Sequence, residues 1–433
     1  MAAPSFSASY LRYALGLLCA VYVVNFVDRQ ILAILLPSIK AELSLTDTQL
    51  GLLSGTAFGL FYATLGVPIA RLADRVSRKW VITVCLALWS GMTALCGSAV
   101  GFTSLLAFRV GVGVGEAGGS PPAHSMISDY FPPERRATAL AIFSLGVPFG
   151  ILVGFLAGGW LNEGLGWRRA FVVVGLPGLL LAVLVALTLR EPPRGHSEGL
   201  HSDGATPSAL DVIRFLWSAP TFRHLSLASG LYAFVGYSVI NWVPSFLIRT
   251  HHMTSGEVGS WLALIVGVGG GIGNYLGGVL ADRFGAKDAR KRALVPAIAM
   301  AVAAPFSLVI YGTQSATIAL VFLVLPTGLG LMYQAPAFAI TQSLATPKMR
   351  ATAAAVLLFV INIIGLALGP LATGALSDAL EPRFGADSLR WALLIVSSLF
   401  VWSALHFYLA SRTLARDFER AREAGLRESR GAV

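Results

Sequence analysis

Twelve apolar stretches, each long enough to cross the ~30 Å hydrocarbon core of a bilayer, leave this chain little choice of fold class. They lie near 12–38, 48–72, 79–99, 102–129, 136–163, 169–189, 222–249, 256–281, 291–312, 315–344, 350–377 and 388–411. No strand-like alternation competes with them. Only 12% of the 433 residues are charged, against about 25% in a soluble globular chain. The charges gather in short patches between the apolar runs. The expectation is an all-α membrane protein of twelve transmembrane helices. Its 46 glycines suit helices that approach closely in lipid.

Other classes fall away quickly. Cys19, Cys85 and Cys96 all sit inside apolar runs and suggest no disulfide framework. The net charge of +10 does not point to nucleic acid, because the basic residues flank the apolar segments, where they set orientation. The first run is too long for a cleaved signal peptide and contains Asp28 and Arg29. With both termini cytoplasmic, 24 Lys/Arg lie inside and six outside: Lys40, Arg168, Arg169, Arg249, Arg383 and Arg390. That asymmetry predicts the orientation.

The chain is duplicated. Ala70-Arg-Leu-Ala-Asp74-Arg75-Val-Ser-Arg78-Lys79 aligns with Gly278-Val-Leu-Ala-Asp282-Arg283-Phe-Gly-Ala-Lys287, five of ten positions being identical. Arg136-Ala-Thr-Ala matches Arg350-Ala-Thr-Ala, and Gly154-Phe-Leu-Ala-Gly-Gly159 matches Gly369-Pro-Leu-Ala-Thr-Gly374. The offsets of 208, 214 and 215 keep a steady register. The expected organisation is a six-helix bundle over 1–189, a cytoplasmic linker over 190–221, a second six-helix bundle over 222–412 and a tail over 413–433. Within the linker, 208–217 reads as a short interfacial helix with Leu210, Ile213 and Trp217 on one face. Parallel six-helix repeats are one way alternating-access transporters are built, with the site between them near mid-membrane.

The doubled Leu-Ala-Asp-Arg loop, with basic residues after it, resembles the signature of the major facilitator superfamily. Ala70 and Ser77 stand where that pattern usually has glycines. The resemblance covers essentially the whole chain. It implies the major facilitator fold, with Asp74, Arg75, Arg78, Lys79, Asp282 and Arg283 latching the cytoplasmic side and Arg136 joining them. A plain positive-inside patch is the other reading. Asn25-x-x-Asp28-Arg29, together with Arg109-Val-Gly-Val-Gly-Val-Gly-Glu116, narrows the resemblance to the Spinster subfamily, whose members move lysolipids. The anion:cation symporters, which carry small carboxylates, are more distant. Short loops and tails favour a bacterial member in the inner membrane.

Asp28 and Arg29 place two charges in the middle of the first span. A charge at the bilayer centre costs at least ~2.5–3.5 kcal/mol. Neighbours on a helix diverge by about 100°, so Arg29 needs another anion, and Glu116 in the fourth span lies at a similar depth. Arg109 shares a helix face with Glu116, and Gly111, Gly113 and Gly115 would let the first helix come close. Burial disfavours a charged carboxylate, and a nearby guanidinium favours it. A carboxylate whose partner can be taken by a substrate becomes a proton switch. A proton crossing at ~100 mV supplies ~2.3 kcal/mol, about fifty-fold accumulation. The competing reading is a structural ion-pair network. The glycine run does not follow a strand, which argues against a dinucleotide loop.

The expected assignment is therefore proton coupling by Asp28 and Glu116, and substrate binding by Arg29, Arg109, Tyr62, Tyr237, Asn241, Tyr333 and Gln334. The last four can equally be packing residues. The function expected is proton-coupled secondary transport of an anionic amphiphile such as a lysolipid or sphingolipid. The alternatives are transport of small organic anions, or a channel, scramblase or sensor. Partners are the substrate, protons and the lipid bilayer, with the chain acting as a monomer. No enzyme activity, catalytic residue, metal, cofactor or nucleic acid is expected.

Overall fold

A computed structural model describes residues 6–73, 75–193, 208–346 and 349–430. Among these residues every regular element is helical. In chain order the α-helices begin α1 Ala8–Leu43, α2 Asp47–Gly51, α3 Ala57–Ala73, α4 Arg78–Cys96 and α5 Phe102–Glu116. There follow α6 Ser120–Tyr130, α7 Pro133–Ser144, α8 Gly146–Leu165, α9 Trp167–Thr188 and α10 Ala209–Trp217. Next come α11 Pro220–His251, α12 Ser255–Leu262, α13 Gly270–Gly285, α14 Lys291–Gly312 and α15 Ala316–Leu331. The last are α16 Gln334–Leu344, α17 Arg350–Ile361, α18 Gly369–Phe384, α19 Ser388–Ser397 and α20 Leu399–Arg430.

Ten segments of the described residues are long and apolar enough to cross a membrane. The twelve-span reading is consistent with them. The stretch Thr352–Glu423 counts as one segment but holds helices on either side of a short turn at Gly385–Asp387. Residues 102–130 form no unbroken long helix, because α5 stops at Glu116 and α6 starts at Ser120. Pro121 and Pro122 open α6, as proline does in a first helical turn. Within other spans, three short π-helical segments interrupt the α-helical ladder: Leu52–Thr56, Ala263–Gly269 and Asn362–Ala367. The first two are 211 to 213 residues apart, within the offset of the sequence repeat.

The chain packs as two compact units. Among the described residues the first takes those up to 193 and also 247–267; the second takes 208–246 and those from 268 on. In the first, α1 packs against α8 and α4 against α9. Leu18, Ile31, Leu35, Trp89, Phe155 and Phe171 are fully buried there. At 36 residues, α1 is about 54 Å long, longer than the hydrocarbon core, so its ends project beyond it. In the second unit the core holds Phe222, Met300, Ile340 and Phe407. The helix α10 leans on it through Val212 and Leu216 and leaves Leu210, Ile213 and Trp217 exposed. The face singled out in the sequence is thus an outward one. Ser208 caps this helix, accepting from the Asp211 amide.

One end of the first unit is braced through Arg78, which is almost fully buried. Its guanidinium donates to Asp129, to Ser125 Oγ at 2.8 Å, to Glu191 Oε1 at 2.8 Å and to the Pro192 carbonyl at 2.8 Å. Glu191 also accepts from the Lys79 amide at 2.9 Å and the Ser77 hydroxyl at 2.8 Å. Burial alone would raise the pKa of Glu191. The Lys79 amide, Arg78 and Ser77 together outweigh it and hold the carboxyl below its ordinary value. A depressed carboxylate stabilises the fold above the unfolded value of about 4.3 and ceases to do so as pH falls through the folded value. In detergent melts, the gap in Tm between the parent and Glu191→Gln should stay constant above about pH 5 and close as pH drops below about 4. A gap that persists unchanged into acid would refute this role for the carboxylate.

Candidate functional site

The two mid-span charges of α1, Asp28 and Arg29, leave the helix on different sides. Arg29 Nη2 donates to Glu116 Oε2 at 2.6 Å, and its Nε donates to the same oxygen at 3.1 Å. The Glu116 side chain is fully buried and that of Arg29 is 13% exposed. Asn25, one turn before Arg29, also faces Glu116. The Arg29 guanidinium carbon lies 4.8 Å from the ring centre of Phe26, 4.7 Å from that of Phe58 and 4.9 Å from that of Tyr62. Phe58 and Tyr62 are four residues apart on α3 and stack at 5.5 Å. The cation thus sits in an aromatic sleeve, which offsets part of its lost hydration.

Asp28 points elsewhere, into the packing between α1 and α4. It is fully buried, and Ser90 Oγ donates to its Oδ2 at 3.3 Å. Trp89 faces the carboxylate without a hydrogen bond of ordinary geometry, and Oδ1 has no hydrogen-bond partner in the protein. Arg109 is also buried, at 1% exposure. Its guanidinium lies 5.5 Å from the Phe58 ring centre, so that this ring has Arg29 and Arg109 as its cationic neighbours. The Nε and Nη1 of Arg109 have no hydrogen-bond acceptor in the protein. Buried polar atoms are normally paired. Two carboxylates and two guanidiniums make the cluster formally neutral, so one added proton changes its net charge to +1.

Five of the residues expected at the site, Asp28, Arg29, Tyr62, Arg109 and Glu116, therefore lie in the first unit around a shared set of contacts. One detail of the expectation is corrected. The glycines of α5 do not receive α1: Gly113 lies against the backbone of Phe58 on α3, and Gly111 and Gly115 face Met92 and Trp89 on α4. The reason is that α5 packs against α3 and α4, and α1 reaches its end through the side chains of Arg29 and Asn25.

The other expected residues are in the second unit. Tyr333 is buried, with its ring 4.5 Å from that of Tyr232. Tyr237 packs on the edge of the same core. Asn241 donates to the Tyr237 carbonyl one turn back at 2.8 Å. Gln334 is exposed. Of the loop residues, Asp74 lies outside the described residues. Arg78 is the buried brace, Arg136 is half-buried, and Arg75, Asp282 and Arg283 are exposed. The Lys79 ammonium lies over the Trp80 ring at 5.4 Å. Phe26, Phe58 and Ser90 are additions that sequence reasoning missed.

The chain matches the family Major Facilitator Superfamily over residues 18–370. An MFS-type efflux pump of Mycolicibacterium smegmatis is 36% identical, covering 94% of this chain and 95% of its own. A hexuronate transporter of Bacillus subtilis is 27% identical, over 88% and 91%. Among solved structures, a bacterial homologue of the human lysosomal transporter Spinster, inward-facing and unoccupied, superposes with a TM-score of 0.87 at 34% identity, covering 95% of this chain and 99% of that one.

Removing one partner of a buried ion pair costs about 3–5 kcal/mol, whereas replacing both by apolar groups costs far less. Glu116→Gln should therefore destabilise the folded protein by roughly 3 kcal/mol, and Arg29→Met/Glu116→Leu should recover most of it. A thermal-melt double-mutant cycle reads this directly. Additive losses in the two single variants would show that the pair does not act as a unit.

Proposed function

Because the chain belongs to the Major Facilitator Superfamily, with a Spinster-type relative among its solved neighbours, we propose that it is a proton-coupled secondary transporter working by alternating access. Its cargo in this reading is an anionic amphiphile of the lysolipid kind. Both termini face the cytoplasm of a bacterial inner membrane, as the excess of Lys/Arg in alternate loops implies. The observation that carries the reading is the Arg29–Glu116 pair inside an aromatic sleeve.

The mechanism follows from that geometry. Arg29 holds one anion at a time. In the absence of cargo it holds Glu116. An incoming phosphate or carboxylate head competes for the same guanidinium, and Glu116, losing its counter-charge in a dry interior, takes up a proton. Asp28 is the second proton-carrying group, kept apart from Arg29 by the helix and close to Ser90 and Arg109. Phe26, Phe58 and Tyr62 present apolar faces around the cation, so the sleeve accepts the first carbons of a lipid chain as readily as it accepts the guanidinium. Return of Glu116 to Arg29 releases both the proton and the cargo. The hexuronate-transporter relative supports the second reading, a small organic anion on the same arginine.

Reconstitution in liposomes with an imposed pH gradient separates these readings. Saturable, gradient-dependent movement of a fluorescent lysophosphatidyl lipid is expected from the parent chain, and Arg29→Ala should lose it by at least a hundred-fold while staying monodisperse. Glu116→Gln should still exchange cargo across the membrane but no longer respond to the gradient. Gradient-driven uptake of a hexuronate with no lysolipid movement selects the second reading. Full gradient-driven transport by Arg29→Ala eliminates the mechanism.

A further inference from the structure

Seven histidines are scattered along the chain, and two of them meet. His224 on α11 and His406 on α20 are 182 residues apart, yet their Nδ1 atoms lie 3.0 Å from each other. The ring centres are 5.2 Å apart and the ring planes 29° from parallel. One Nδ1 donates to the other, and which of them does so depends on the tautomers. Both residues belong to the second unit, whereas the Arg29 cluster belongs to the first. The sequence repeat, the ion pairs and the aromatic sleeve leave this pair unexplained.

The backbones on either side of the pair are pinned to each other. Towards the tail, Asp417 Oδ2 accepts from the Thr221 amide at 2.9 Å, and the hydroxyls of Thr221 and Thr413 meet at 2.6 Å. On the other side, Ser403 Oγ donates to the Ala228 carbonyl at 2.8 Å. Thr221, Ser403 and Asp417 are all buried. The pairings run antiparallel with the histidines between them, so the two turns that carry the rings are held at a fixed separation. The imidazoles themselves are half-buried, backed by this seam and open on one side. Asp417, the next carboxylate along α20, is taken by the Thr221 amide and by Arg416 Nε at 3.2 Å. The ring nitrogens therefore face each other rather than an anion. Imidazole nitrogens bind late first-row divalent ions at about 2.0–2.1 Å. Two such nitrogens stand about 2.9 Å apart in neighbouring positions of a square-planar or octahedral ion, and about 3.3 Å apart on a tetrahedral one. The observed 3.0 Å falls between these values. A turn of each ring about its Cβ–Cγ bond, with the imidazole proton on Nε2, aims both Nδ1 lone pairs at one point.

We propose that His224 and His406 form a two-imidazole site for a late first-row divalent cation, of the Ni2+, Cu2+ and Zn2+ class, which staples α11 to α20. Water fills the remaining coordination positions on the open side. Hard cations such as Mg2+ and Ca2+ prefer oxygen ligands and are poor occupants. The separation is set by the seam and not by the ion, so the two ligands are already in place before binding. Arg223, exposed and next to His224, is the charge that faces the site, and its repulsion weakens the binding of any cation. The site goes beyond the transport reading, and its test needs neither cargo nor a proton gradient.

The test uses the full chain in detergent, free of any histidine tag, with Ni2+ as the probe. Equilibrium dialysis should find one bound equivalent. His224→Ala and His406→Phe should each weaken it by about ten-fold or more, and Arg223→Gln should tighten it by about three-fold. At a concentration of about 100 times the dissociation constant, Ni2+ should raise the Tm of the parent by about 4 °C, and Mg2+ at the same concentration should leave it unchanged. His406→Phe keeps a ring in the seam and removes the ligand. A pair that only packs would give less stable variants and a parent that ignores Ni2+, and that result overturns the proposal. So does binding that survives in His224→Ala/His406→Phe, because other histidines of the chain would then hold the ion. Should His224→Ala fail to fold, Cu2+ spin-echo modulation reads the same site: two imidazoles in the parent falling to one in His406→Phe is expected, and an unchanged count refutes it.

Discussion

Everything in the first unit is arranged around one constraint: charges placed in the middle of a bilayer must find each other. Arg29 on α1 cannot use Asp28, its sequence neighbour, because a helix turns them about 100° apart. It reaches Glu116 on α5 instead, at 2.6 Å. That requirement brings the end of α5 against α3 and α4, where Gly111, Gly113 and Gly115 leave space for Met92, Phe58 and Trp89. Arg109, seven residues earlier on α5, is then carried into the same layer as Asp28. A formally neutral group of four charges results. The aromatic rings of α1 and α3 complete the enclosure of the one guanidinium that retains some exposure.

Much of this was readable in the sequence, for a physical reason. Apolar length dictates helices across lipid, and an isolated charge in such a helix demands a partner at the same depth; few candidates exist, so Arg29 and Glu116 were found from their positions alone. Phe58 could not be singled out in that way. An aromatic residue in an apolar span has no marked alternative to ordinary packing, and its role depends on which helix face α3 turns towards α1. The same holds for His224, which reads as one more residue near the start of a span. Its partner His406 lies 182 residues away, and nothing local in either stretch announces the pair.

The breaks within spans were also hidden. Hydropathy runs smoothly through 102–129, yet the backbone turns from α5 to α6 at Ala117–Gly119. Glycines and prolines there hint at a break but not at its consequence, which is that Glu116 is the last residue of its helix. At a helix C-terminus the macrodipole opposes a carboxylate, so its charge depends all the more on Arg29. The surroundings of Arg78 were hidden in another way: its place in a basic loop does not show that it is enclosed by Asp129, Ser125 and Glu191. The acceptors come from α6 and from beyond α9, which no reading of the loop itself would supply.

The duplication makes the location of the charges informative. Both halves share a helix plan, including one pair of π segments at corresponding places, but among the described residues the four-charge cluster lies in the first half. Among the described residues of the second unit, Asn241, Asn362 and Thr373 are buried and neutral, while the buried charges are Arg390, paired with Asp387, and Asp417, which accepts from the Thr221 amide. In an alternating-access cycle the contacts that change are those between bodies that move, and a desolvated ion pair broken at every turnover would cost several kcal/mol each time. Keeping Arg29, Glu116, Asp28 and Arg109 within one packed unit avoids that penalty. In the proposed cycle the pair opens only when another anion is there to take its place, so that protonation of Glu116 would follow the arrival of cargo.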